Sequence, residues 1–112
     1  MADAPIIKLV TDFAAAGDFD KKHTPFMTLS PEGEMTVVSI EVGHEISHPN
    51  EVGHYITFIE LYAGMTGVAR FDFTPEVVSP RVSVPVSLPA GTLLRAVAHC
   101  NLHGWWGSEI TL

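Results

Sequence analysis

From Pro25 to the C-terminus, apolar residues recur at every second position in short runs, and turn residues separate the runs. Nothing else in the chain constrains its fold as strongly. Thr36, Val38, Ile40 and Val42 share one parity while Ser39 and Glu41 take the other, the period of two that marks a half-buried strand. Val82, Val84, Val86 and Leu88 alternate in the same way with Arg81, Ser83, Pro85 and Ser87. Pro85 has no N–H to give to a ladder, so this run belongs at a sheet edge. Residues 54–62 are apolar on both parities, as in a central strand, and 63–67 turn that run into a hairpin with 68–73. Further turns are expected at 31–34 and 89–91, and the run 92–99 leads into Cys100. The one helical signal spans 10–20, capped at Thr11 or Asp12 and stopped at Gly17. The expected architecture is a single all-β domain over 1–112. It is a sandwich or barrel of about seven strands, with a short N-terminal helical or irregular segment.

Composition narrows the function classes. The apolar fraction of 46% and charged fraction of 17% describe an ordered chain with one core. A net charge of −7 disfavours nucleic acid and anionic lipid as partners, because both reward basic surfaces. No apolar run reaches the length of a membrane span, and the N-terminal residues lack a basic stretch ahead of an apolar one. The single cysteine, Cys100, has no intramolecular disulfide partner and suits a reducing compartment, so the cytoplasm is the expected location.

Six histidines are many for 112 residues. Cys100 and His103 lie three apart at the end of a strand, where both can point at one metal; the alternative is an inert buried thiol beside a surface imidazole. His48 sits in a turn before Pro49, His54 opens the central strand, and His23 lies in another extended or turn segment before Pro25. Three segments thus place histidine at strand ends, and one of them carries the only thiol. His99 has the parity opposite to Cys100, and His44 lies beyond a strand end among acidic residues, so neither is expected to be a ligand. Lys21 and Lys22 directly precede His23, either as a cationic spot that steers a small anion or as a solvated loop pair. Trp105 and Trp106 either shield the site or pack as core or interface.

The segments Lys22-His-Thr-Pro25, Ser47-His-Pro49 with the run from His54 to Tyr62, and Cys100-Asn-Leu-His-Gly-Trp together resemble the signature segments of the superoxide reductase family. The likeness is to neelaredoxin and to the iron domain of desulfoferrodoxin, and it runs from about Phe19 to the C-terminus. It implies an immunoglobulin-like β-sandwich with one mononuclear iron. His23, His48, His54 and His103 would be the equatorial ligands and Cys100 the axial one. The implied reaction is the one-electron reduction of superoxide to hydrogen peroxide, with Lys22 guiding the anion and helping to deliver a proton. A small electron donor such as rubredoxin and a homo-oligomer, dimer or tetramer, are the implied partners. The four-cysteine module of desulfoferrodoxins has no counterpart in this sequence, which therefore resembles the one-iron class. One position departs from the family: a glutamate commonly precedes the Lys-His pair, and Lys21 stands there instead, with Asp20 one position off as a substitute.

A cupredoxin-like electron-transfer protein is the main rival reading. It wants an axial Met shortly after the final His, and the tail after His103 has none. A partner-binding sandwich with incidental histidines and a Cys–His hydrolytic nucleophile are the remaining alternatives.

Overall fold

Strand alternation becomes two stacked sheets in the computed structural model, which describes residues 6–112. The elements are β1 (Ile7–Leu9), α1 (Asp18–His23), β2 (Pro25–Glu32), β3 (Met35–Val42), β4 (Ile56–Ala63), β5 (Thr66–Asp72), β6 (Arg81–Val86), β7 (Leu93–Cys100) and β8 (Gly104–Thr111). One sheet has the order β1-β8-β7-β4-β5 and the other β2-β3-β6. All pairings are antiparallel except β1 with β8. The expected β-sandwich is therefore found, with one strand more than the sequence announces. The addition is β1, whose three residues are too few to show a period.

The core is the sum of the two inward parities. Val38, Ile40 and Val42 of β3, with Met27 of β2 and Val86 of β6, meet Ile59 and Leu61 of β4 and Leu94, Ala96, Ala98 and Cys100 of β7. Each fully buried Ile or Leu contributes about 1.5–3 kcal/mol relative to exposure. Pro85 lies on β6, at an edge of the smaller sheet. Strand β4 reads as apolar on both parities for a local reason. Its register with β7 shifts between Ile56 and Phe58, so Ile56 and Ile59 both face the core although they are three apart. Phe58 is thereby turned to the outer face, beside His99 and Trp105.

The helix is not where the sequence points. It starts after Gly17, which takes the N-cap position in an extended conformation, and it ends at His23. Asp18 and Asp20 in its first turn and Lys21, Lys22 and His23 in its last complement the helix dipole. Pro25 disfavours continuation. Gly17 thus begins a helix instead of ending one, and the alanines at 14–16 lie outside it.

Antiparallel pairing gathers the candidate residues at one end of the sandwich. Pro25 pairs with Val42, so His23, just before β2, lies beside the loop that follows β3 and carries His48. Ile56 pairs with Cys100, so His54, just before β4, lies beside the end of β7. The hydroxyl of Ser108 donates to the Pro25 carbonyl, joining the larger sheet to the smaller one near this end. Gly43 lets the β3–β4 loop fold back: its φ is +92°, and a Cβ there would sit 2.8 Å from the His48 backbone nitrogen.

Candidate metal centre

His23, the last residue of α1, is fully buried. Its Nδ1–H donates to the Phe19 carbonyl one turn earlier, at 2.7 Å. A carbonyl can only accept, so this bond fixes the tautomer and leaves Nε2 as a bare lone pair. His48 repeats the device: Nδ1–H donates to the Pro49 carbonyl at 2.6 Å, and Nε2 lies 3.4 Å from the Cys100 sulfur. Nε2 of His23 and Nε2 of His54 are both buried with no hydrogen-bond partner. Leaving such an atom unpaired costs about 1–3 kcal/mol, so two of them aimed into one cluster call for an acceptor of lone pairs.

The donor atoms of His23, His48, His54 and Cys100 all lie within 4.8 Å of one another. The imidazoles also form a closed cycle with His103. Ring centroids are 4.8 Å apart for His23–His48, 4.8 Å for His48–His54, 5.1 Å for His54–His103 and 5.0 Å for His103–His23. Neighbouring rings stand at 70–83° to each other, and His23 faces His54 across the cycle at 6.5 Å. Cys100, with no exposed surface, ends the inward row of β7. His103 is exposed, and it is not among the four residues whose donor atoms form the tight group.

Electrostatics favour ligation. Burial lowers the pKa of His23, of His54, and of His48 to about 4. The neighbouring imidazoles and the Lys22 charge push in the same direction. The rings are thus kept neutral, the form that donates to a cation. A cation is also what a buried thiolate needs. With metal–nitrogen and metal–sulfur bonds of about 2.1 and 2.3 Å, one ion can reach a nitrogen and a sulfur up to about 4.4 Å apart, and the His48–Cys100 separation of 3.4 Å lies within that reach. The donor set fits a transition metal with nitrogen and sulfur ligands.

The surrounding residues correct two expectations. Lys21 does not join Lys22 at the mouth: its Nζ is paired with Glu45 at 3.1 Å and lies over the Phe13 ring. Asp20, the potential substitute for the family's glutamate, is paired with Lys8 at 3.0 Å. Among the described residues Lys22 is the one Lys or Arg without a carboxylate partner. The two tryptophans also divide. Trp106 is buried, stacks on His23 at 4.8 Å and 18°, and donates its Nε1–H to the His103 carbonyl at 3.1 Å. Trp105 has the other parity and packs against His99 on the outer face, away from the cluster.

His99 and His44 lie outside the cluster. The first shares a 2.7 Å hydrogen bond with the Thr57 hydroxyl, and the second stacks on Phe26 and bonds Glu41. Phe19 is the contributor that sequence reasoning missed. Its carbonyl orients His23, and its ring touches His23, His103 and Trp106. The signal was its place four residues before His23 in one helix.

A β-sandwich with an imidazole cycle closed by a buried thiol at one end defines a class, the imidazole–thiolate metal-binding sandwiches. The comparisons narrow this. The desulfoferrodoxin family model matches residues 15–109, so the chain belongs to the desulfoferrodoxin family. A putative superoxide reductase of Methanocaldococcus jannaschii is 39% identical over 97 residues, covering 82% of this chain and 83% of that one. The superoxide reductase of Pyrococcus furiosus is 33% identical, covering 93% and 99%. Among solved structures, a superoxide reductase from Nanoarchaeum equitans superposes with a TM-score of 0.79 at 31% identity, covering 96% of this chain and all of that one. No helix among the described residues is long and apolar enough to cross a membrane.

Proposed function

We propose that the chain is a superoxide reductase that converts superoxide to hydrogen peroxide at one mononuclear iron held by His23, His48, His54, His103 and Cys100. The observation that carries this reading is the pair of buried, unpartnered Nε2 atoms on His23 and His54, facing the cluster that also holds the Cys100 sulfur. The names of the relatives supply the substrate. A bound iron would supply the single electron, and two protons complete the change from superoxide to hydrogen peroxide.

The chain's own residues account for the rest. Lys22, without a carboxylate partner among the described residues and close enough to depress three histidines, draws a small anion to the mouth. Its ammonium is also the candidate proton donor. Phe19 and Trp106 cover His23 and keep water from its buried side. Cys100, buried in the core, would balance the positive charge of a bound iron and donate electron density to it. The exposed ring of His103 is the accessible edge of the cycle, where a small donor protein such as rubredoxin would approach to reduce a bound iron. With four imidazoles in one cycle, the donor set exceeds the two histidines that a blue-copper site takes, which argues against the cupredoxin reading. The reading further places the protein in the cytoplasm as a dimer or tetramer.

Protein purified without oxygen tests this. Iron near one per chain, with superoxide consumed and no oxygen evolved, supports the reading; copper or no metal at all contradicts it.

A further inference from the structure

Asn101, the residue after Cys100, grips the chain on both sides of His54. Its Oδ1 accepts the Tyr55 N–H at 2.9 Å, and its Nδ2 donates to the Gly53 carbonyl at 3.0 Å. Its backbone N–H donates to the Tyr55 carbonyl at 3.2 Å. These bonds stand where regular pairing stops, since the β4–β7 ladder is irregular near its end and reaches only Ile56 opposite Cys100. Beyond that point the backbone bonds of His54 go to Glu51, within its own turn, and give it no fixed relation to β7.

His54 needs this support more than its neighbours do. The rings of His23 and His48 are each held by an Nδ1–H bond to a backbone carbonyl. Among the described residues His54 has no such ring bond, and its Nε2 is buried without a partner. Its aim therefore depends on where its backbone is held.

We infer that Asn101 is a positioning residue, an amide clamp that sets His54 relative to Cys100 so that both reach one metal ion. The inference rests on His54 being a ligand. Outer-sphere partners of metal ligands typically hold 10–100-fold in affinity.

The test is titration of cobalt(II) into the metal-free full-length chain, read by the thiolate-to-cobalt charge-transfer band. Asn101→Ala is expected to weaken binding by about 10–100-fold. His54→Ala weakens it as well, and adding Asn101→Ala to His54→Ala changes it by less than about threefold, because two residues acting through one contact are not additive. If Asn101→Ala fails to fold, Asn101→Asp keeps the bond to Tyr55, gives up the one to Gly53, and shows a smaller loss in the same direction. Wild-type cobalt affinity in the Asn101 variant, with His54→Ala still weakened, overturns the clamp and leaves the site reading intact. Equal losses from the Asn101 change with and without His54 also overturn it. Wild-type affinity in His54→Ala overturns the site reading, and the clamp with it.

Discussion

At the end of the sandwich, His23 and His48 each give one ring N–H to a backbone carbonyl; Nε2 of His23 is buried without a partner, and Nε2 of His48 faces the Cys100 sulfur. Outside that cluster, His99 bonds a threonine hydroxyl and His44 a glutamate, and each ring lies flat against a phenylalanine. All four are histidines, so the residue type does not distinguish them. What separates them is convergence. The outer rings are satisfied by packing and a polar neighbour, whereas the inner ones are left with lone pairs that point at each other and at a thiol. A carbonyl partner also selects the tautomer that can ligate, so the orienting bond is as informative as the ligand.

The largest expected contrast between the two groups is in metal retention. His23→Ala or Cys100→Ala should lower metal affinity by more than about a hundredfold, above what outer-sphere partners alone cost. His99→Gln and His44→Gln should stay within about threefold of wild type, since neither belongs to the cluster. Equilibrium dialysis of the variants against a metal buffer checks this, and a large loss in His99→Gln would erase the distinction.

A second contrast is in the acid stability of the metal-free protein. The folded pKa of His48 is depressed to about 4 from an ordinary 6.5, so its contribution is fully present above pH 6.5 and is lost as pH falls toward 4. The unfolded chain binds the proton in that window and the folded chain does not. The loss is on the order of a few kcal/mol. Denaturant melts between pH 7 and pH 4 should show it. The same melts on His48→Gln should show a flatter pH dependence, and an unchanged slope would count against burial as its source.

The lysines extend the comparison to the surface. Lys22→Ala should slow the reaction with superoxide about tenfold at low salt and flatten its ionic-strength dependence, the signature of lost steering. Lys21→Ala should alter that rate less, because its charge is already compensated by Glu45. Its stability cost should be below about 1 kcal/mol, as for other exposed ion pairs. Pulse radiolysis with salt titration ranks the two, and a larger effect from Lys21 would reverse the assignment.

Much of this arrangement was legible in the chain because strand parity is local. The inward row of β3, the edge position of Pro85 and the opposite faces of His99 and Cys100 all follow from alternation. The misplaced helix has a different origin: Gly17 is compatible with either end of a helix, and the charge order from Asp18 to Lys22 was the better guide. The bulge in β4 was hidden because an apolar residue on both parities has the same appearance whether a strand is doubly buried or locally shifted. The place of Lys21 has a long-range cause. Its partner Glu45 is 24 residues away, in a loop shaped by a positive φ at Gly43 and at Glu45 itself, and no local pattern reports such a meeting. Trp105 and Trp106 divide between the outer face and the cluster because adjacent strand residues face opposite ways.

X-ray absorption at the iron edge of protein purified without oxygen addresses the convergence of these side chains directly. The expected spectrum contains one sulfur scatterer and about four nitrogen scatterers in the first shell, with the sulfur lost in Cys100→Ser. Iron surrounded only by oxygen and nitrogen in the unaltered protein would contradict the account.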